Sequence, residues 1–170
     1  MTSRVRGLSP ILSTMILLTA ALLAGILLYN YFSHTLQGMM NTPNPVIEGV
    51  TYYPDINVLM VKIRNLGGAP IFLNNSSIVI LGKSCKCECS ITCSTASSLE
   101  PGKEIDVTIY FNDTSGVFTG TVSNGCSISC KTSTPSKCLS DLSLGVARIG
   151  FKYVYAGAEH TTRLEQVIVG

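Results

Sequence analysis

Between Arg6 and Glu48 the chain carries no aspartate, glutamate, lysine or arginine, and Ile11 to Phe32 (ILSTMILLTAALLAGILLYNYF) is almost wholly apolar. About 20 such residues cross a bilayer as a helix, so this segment is long enough to span one. Arg4 and Arg6 stand immediately before it. The positive-inside rule therefore keeps the short N-terminal tail in the cytoplasm and sends the remainder outside. A secretory signal peptide shares the basic start and the apolar run. Its apolar core is only about 7–15 residues long, however, and is followed by a small-x-small cleavage site, which is missing ahead of Tyr29, Asn30 and Tyr31. The apolar helix is expected to stay with the mature protein.

With 170 residues, the chain has room for this helix and one ordinary domain. Charged residues make up 13% of it, against a usual share of about 25%. The net charge of +2 comes from scattered basic residues, which argues against a nucleic-acid partner.

The residues Arg4-Val5-Arg6-Gly7-Leu8-Ser9-Pro10 offer an accessible backbone at Gly7, a helix cap at Ser9 and a proline suited to a first helical turn. Together with the uncharged helix behind them, they resemble the class III leader of archaeal type IV pilins. The resemblance implies that a prepilin peptidase cuts between Gly7 and Leu8, leaving a mature chain that starts Leu-Ser-Pro and keeps its whole helix. Bacterial type IV pilins usually carry a glutamate at the fifth mature position; here Leu12 stands there, as is common in the archaeal branch.

A helix from Leu8 to Met40 would be about 50 Å long, well beyond one hydrocarbon thickness. Asn41-Thr42-Pro43-Asn44-Pro45 should end it and act as a hinge. Helices leave lipid for a bundle only where they pack better against each other than against lipid, and small residues permit that close approach. Ala20 and Ala24, and Ala21 and Gly25, lie four apart on adjoining faces and are the candidate packing positions. Tyr29, Tyr31 and Phe32 suit an interfacial aromatic belt.

After Pro45 the pattern changes to short runs of period two. Leu59, Val61 and Ile63 share one face; Ile105, Val107, Ile109 and Phe111 share another. Ile78 to Leu81 and Val117 to Val122 read as further strands, and Ala147–Tyr155 with Thr161–Val169 as a terminal hairpin. The expected fold is α+β: a long N-terminal hydrophobic helix followed by an immunoglobulin-like β-sandwich head. The expected divisions are a leader at 1–7, a helix at 8–40, a hinge at 41–45 and an extracellular head at 46–170. Val58 to Gly67 followed by Leu99 to Gly102 loosely resembles the heads of archaeal pilins and adhesion modules.

Seven cysteines fall in two groups: Cys85, Cys87, Cys89 and Cys93, then Cys126, Cys130 and Cys138. Outside the cell this density reads as disulfides. On a strand, Cys85, Cys87 and Cys89 would lie about 6.6 Å apart, near the limit for bridging, which favours partners in the second group. Crosslinks are thus expected between the loop after Leu81 and the loop after Val122. The odd thiol stays free or joins a neighbouring subunit. A zinc site is disfavoured, because one-residue spacings string ligands along a line instead of around a tetrahedron; no metal and no cofactor is expected.

Asn74, Asn75 and Asn112 stand in N-glycosylation sequons. For catalysis there are only His34 and His160, neither with a recognisable nucleophile or carboxylate motif, so no enzyme is expected. The reading that follows from this resemblance is a structural subunit of an extracellular archaeal type IV pilus, polymerising through its N-terminal helix and serving adhesion. It would wait in the cell membrane as a precursor, be processed by prepilin peptidase and the membrane assembly machinery, and polymerise into an extracellular homopolymer. The alternative is a single-span membrane-anchored extracellular binding protein.

Overall fold

The structure, a computed structural model, describes residues 10–111, 117–132 and 134–170. The chain divides at Met40 and Asn41 into two compact units. The first is a single helix, α1 (Pro10–Met40), whose 31 residues include no aspartate, glutamate, lysine or arginine. It begins at a proline, whose missing N–H costs nothing in a first turn. Its end comes just before Thr42-Pro43, where the proline ring disfavours helical backbone in the residue ahead of it.

The second unit is β-rich. Strand β1 (Pro45–Tyr53) turns back through Asn57, which has φ 51°, into β2 (Val58–Asn65). Alternation along β1 breaks once: Pro45 and Ile47 face inward, then Val50 and Tyr52, with both Glu48 and Gly49 outside. The ladder to β2 slips at this point, so that Glu48 is the extra residue of a β-bulge. The bulge moves the second half of the strand by one residue and returns its apolar side chains to the core. The short β3 (Ile71–Phe72) precedes β4 (Ser77–Leu81), which is buried on both faces. Next come β5 (Lys86–Thr92), the two-residue β6 (Ser98–Leu99), β7 (Glu104–Tyr110), β8 (Val117–Val122) and β9 (Ser127–Lys131). A second helix, α2 (Pro135–Ser143), leads to β10 (Arg148–Tyr155), β11 (Ala158–Thr161), β12 (Glu165–Gln166) and β13 (Ile168–Val169).

The α+β architecture with a long N-terminal helix is as expected, and Leu59, Val61, Ile63, Ile105, Val107, Ile109 and Phe111 all face the core. The sheet differs from two separate sandwich layers. One hydrogen-bonded path runs β11-β10-β4-β5-β9-β8-β7-β2-β1-β13, with β12 on β10, and β3 and β6 pair apart from it. Twist accumulates from strand to strand, and open sheets of this width curl. Strands β1 and β10, far apart in the order, consequently come close, and the curled sheet encloses one apolar core.

The terminal hairpin is tighter than its sequence suggested. Ala156 and Gly157 both have positive φ, which is the two-residue turn whose twist matches paired strands. The returning strand 161–169 is broken into pieces: β12 pairs with β10, while β13 crosses to lie parallel to β1.

Within the expected hinge at 41–45, residues 42 and 44 are tied to the strand-turn region that follows β2. Leu66 N–H donates to the Asn44 carbonyl at 2.9 Å and Gly68 N–H to the Thr42 carbonyl at 3.1 Å. Asn65, fully buried, completes the junction. Its amide nitrogen donates to the carbonyls of Ala69 (2.7 Å) and Leu99 (3.1 Å), and its oxygen accepts from the N–H groups of Gly67 (3.0 Å) and Asn44 (3.2 Å). Gly67 is required here by space: a Cβ would lie 2.3 Å from both Asn44 N and Thr42 O.

Several charges on the outer faces are paired. Lys62 meets Glu104 at 3.2 Å, Arg64 meets Glu48 at 3.4 Å, and Lys152 sits between Glu88 (3.3 Å) and Glu159 (3.0 Å). Such exposed pairs add little stability. They do cancel each other's field, so these residues build no single-sign patch to recruit a charged partner.

Candidate functional site

Two features of the molecule stand apart from ordinary packing: the surface of α1 and a cluster of sulfurs in the head. Apolar residues cover α1 on every side, and Leu17, Leu18, Leu22, Leu23, Ile26 and Leu27 are all more than half exposed. A helix apolar all round requires an apolar environment, either lipid or other helices. Its hydroxyls are already satisfied internally. Thr14 donates to the Ile11 carbonyl (2.9 Å), Thr19 to those of Ile16 (2.9 Å) and Met15 (3.0 Å), and Thr35 to that of Tyr31 (2.8 Å). Back-bonding of this kind lets hydroxyls enter a dry environment without an orphan donor. Ala20, Ala21, Ala24 and Gly25 are exposed, and a Cβ on Gly25 would meet nothing within 4 Å. The helix is long and apolar enough to cross a membrane, and a signal sequence near an N-terminus has the same properties. Gly7 and Leu8, the expected cleavage pair, lie outside the described residues.

The cysteines pair between the two groups, as the strand geometry suggested. The bridges are Cys85–Cys138, Cys89–Cys130 and Cys93–Cys126, each nested inside the one before. Their setting differs from the expected loop-to-loop tie. Cys89 and Cys130 are directly opposite residues on paired strands β5 and β9, and Cys138 belongs to α2. At sequence separations of 33 to 53, each bridge taken alone would close a loop worth about 4 kcal/mol in the chain-entropy account, and because the three are nested these values do not add.

The odd cysteine is Cys87, 1% exposed, and a bond to a neighbouring subunit is out of its reach where it lies. Its sulfur is 2.7 Å from that of Cys138, and the sulfurs of Cys85, Cys87 and Cys138 all lie within 4.8 Å of one another. Spacing along the sequence gives a line of thiols; α2 changes that by laying a third sulfur over the strand. As bonded, the cluster holds one thiol and one disulfide, so it offers a single thiolate to any ion. Burial pushes the Cys87 thiol above its ordinary value, and the nearby Thr132 hydroxyl pulls the other way.

Helix α2 was missed in the sequence, although Thr134-Pro135 is a helix-start signal and Cys138 and Leu142, four apart, form its buried stripe. Asp141 on the same helix accepts the Ser84 N–H at 2.7 Å. Together with the Cys85–Cys138 bridge, it anchors α2 to the turn before β5.

Asn74 and Asn75 are exposed in a 3-10 turn at Leu73–Asn75, where Asn74 Oδ1 accepts the Cys93 N–H at 2.7 Å. That bond uses the oxygen, leaving the amide nitrogen, the atom a glycan would occupy. Asn112 lies outside the described residues. His160 stacks on Tyr153 at 5.4 Å between ring centroids, and Tyr153 on Phe151 at 6.1 Å, so its surroundings are aromatic. His34 lies on exposed α1. A cleft of about 260 Å³ between β1 and the β10–β12 region is lined by Pro45, Ile47, Tyr153, Thr161, Arg163 and Glu165 and brings no histidine or cysteine together with an acid. No family model matches the chain and no curated protein matches it, so its functional reading rests on these residues and their geometry.

Proposed function

We propose that this chain is the structural subunit of an extracellular filament of the archaeal type IV pilus kind, built by self-association of α1. The observation carrying the reading is α1 itself. It is 31 residues long, about 46 Å at 1.5 Å per residue, without Asp, Glu, Lys or Arg, and among its described side chains no face is covered. A bilayer core of about 30 Å does not use all of that length, whereas a bundle of neighbouring helices does. The precursor would wait in the membrane with its head outside, be cut by prepilin peptidase between Gly7 and Leu8, and join the growing fibre through the membrane assembly machinery. The nested disulfides suit a head displayed to oxidising surroundings. Its role is structural, with adhesion supplied by the exposed heads.

The test is peptide mass spectrometry on material sheared from cells. A mature terminus at Leu8 in sheared fibres is expected, and the same spectra report glycan on Asn74, Asn75 or Asn112. Recovery of the chain only from membranes, with its N-terminal arginines in place, would overturn the filament reading in favour of an anchored extracellular binding protein.

A further inference from the structure

The head holds a thiol that neither folding nor the filament reading employs. Cys138 Sγ is the central atom of the cluster: it is bonded to Cys85 and touched by Cys87 at 2.7 Å. A thiolate in that position attacks a disulfide sulfur directly, through the ordinary displacement at sulfur. The two possible partners of Cys138 differ in their surroundings. Cys87 lies within β5 at 1% exposure, whereas Cys85 precedes the strand at 7% exposure, next to exposed Lys83 and Ser84.

We propose that Cys85, Cys87 and Cys138 form a thiol–disulfide exchange site that carries the free thiol from Cys87 to the less deeply buried Cys85, which lies between exposed residues, where it can be modified by electrophiles or disulfides. The Cys87 thiolate forms a bond to Cys138 Sγ, the Cys85–Cys138 bond breaks, and Cys85 leaves as a thiolate and takes up the proton Cys87 gave up. Two electrons shift along three sulfurs, with no net oxidation and no outside reagent. The fold tolerates the exchange because α2 stays anchored: the bridge to Cys85, just ahead of β5, is replaced by one to Cys87 within the strand, and the Asp141 carboxylate still holds the Ser84 N–H. The buried thiol's raised pKa keeps exchange slow, since only the thiolate attacks.

The sequence offers a clean assay, because trypsin cuts at Lys83, Lys86, Lys103, Lys131, Lys137 and Arg148. Cys85 then falls in peptide 84–86, Cys87 with Cys89 and Cys93 in 87–103, Cys126 and Cys130 in 104–131, and Cys138 in 138–148. Full-length protein in detergent is incubated folded with N-ethylmaleimide, quenched in acid and mapped without reduction. The expected result is maleimide on peptide 84–86, with 138–148 transferred to the disulfide-linked 87–103 and 104–131 pair. A map retaining only the 84–86 to 138–148 link after exhaustive labelling overturns the proposal. Maleimide on 84–86, 87–103 and 138–148 together also overturns it, by showing a reduced three-thiol cluster of the kind a soft metal ion would occupy. A second arm uses Cys85→Ser, in which a Cys87–Cys138 bridge and no alkylatable thiol are expected after unfolding. Two alkylatable thiols there count against the exchange geometry.

Discussion

Gly25→Leu is expected to abolish filaments while leaving the chain in the membrane. The substitution keeps the helix apolar, so insertion has no reason to fail. It also leaves the isolated chain undisturbed, because a side chain starting at Gly25 points into open space. Any defect must then arise between chains, where, in the proposed filament, a leucine would prop apart helices meant to approach through Ala20, Ala21, Ala24 and Gly25. Overpacking of a close contact costs about 1–3 kcal/mol. That is roughly a 5- to 150-fold weakening for each association step, repeated at every neighbour in a fibre. Electron microscopy of sheared material and fractionation of membranes give the two readouts. Fibres of normal number and length on Gly25→Leu cells would sink the packing model.

Asn65→Ala is expected to be the most damaging polar substitution in the head. Four hydrogen bonds end on this one buried side chain, and all four partners are backbone groups. Removing the amide strands two carbonyls and two N–H groups at once, at about 1 kcal/mol or more each where water cannot replace it. A loss near 3–4 kcal/mol should lower the melting temperature of the head by about 10 °C. Thermal unfolding followed by circular dichroism, with disulfides intact, measures it. Asn65→Asp should be no better, since it keeps the acceptors but loses both donors and buries a charge. A shift within about 2 °C for Asn65→Ala would mean that the junction 42–45 is held by other contacts.

Where alternation was strict, the sequence was a good guide to the head. Leu59 to Ile63 and Ile105 to Phe111 announce both their strands and their inward faces. The Glu48 bulge hides β1, because the register change breaks the period that would reveal it. Strand β5 was hidden differently: its inward positions are Cys87, Cys89 and Ile91, and two cysteines read as crosslinks before they read as a core face. Strand β4, buried on both sides, has no alternation to see. The three-sulfur cluster could not be found from spacing at all. It depends on α2 folding back over β5, a tertiary event between cysteines 51 positions apart, Cys87 and Cys138. For α1 the legibility is nearly complete, since a helix with no charge and no polar face is defined by composition alone.

The parallel pairing of β13 with β1 gives the head a mechanical property. Any tension on α1 enters the head at Asn41 and passes along the chain into β1, the strand that follows. That strand is clamped lengthwise, with β2 hydrogen-bonded along it from Pro45 to Tyr53 and β13 added at Thr51 and Tyr52. A pull along β1 loads these bonds side by side, in shear, so that they must give way together and not one at a time as in an unzipping hairpin. Strand β13 thus acts as a lock on β1, and the head would resist being drawn out through the end by which it is tethered.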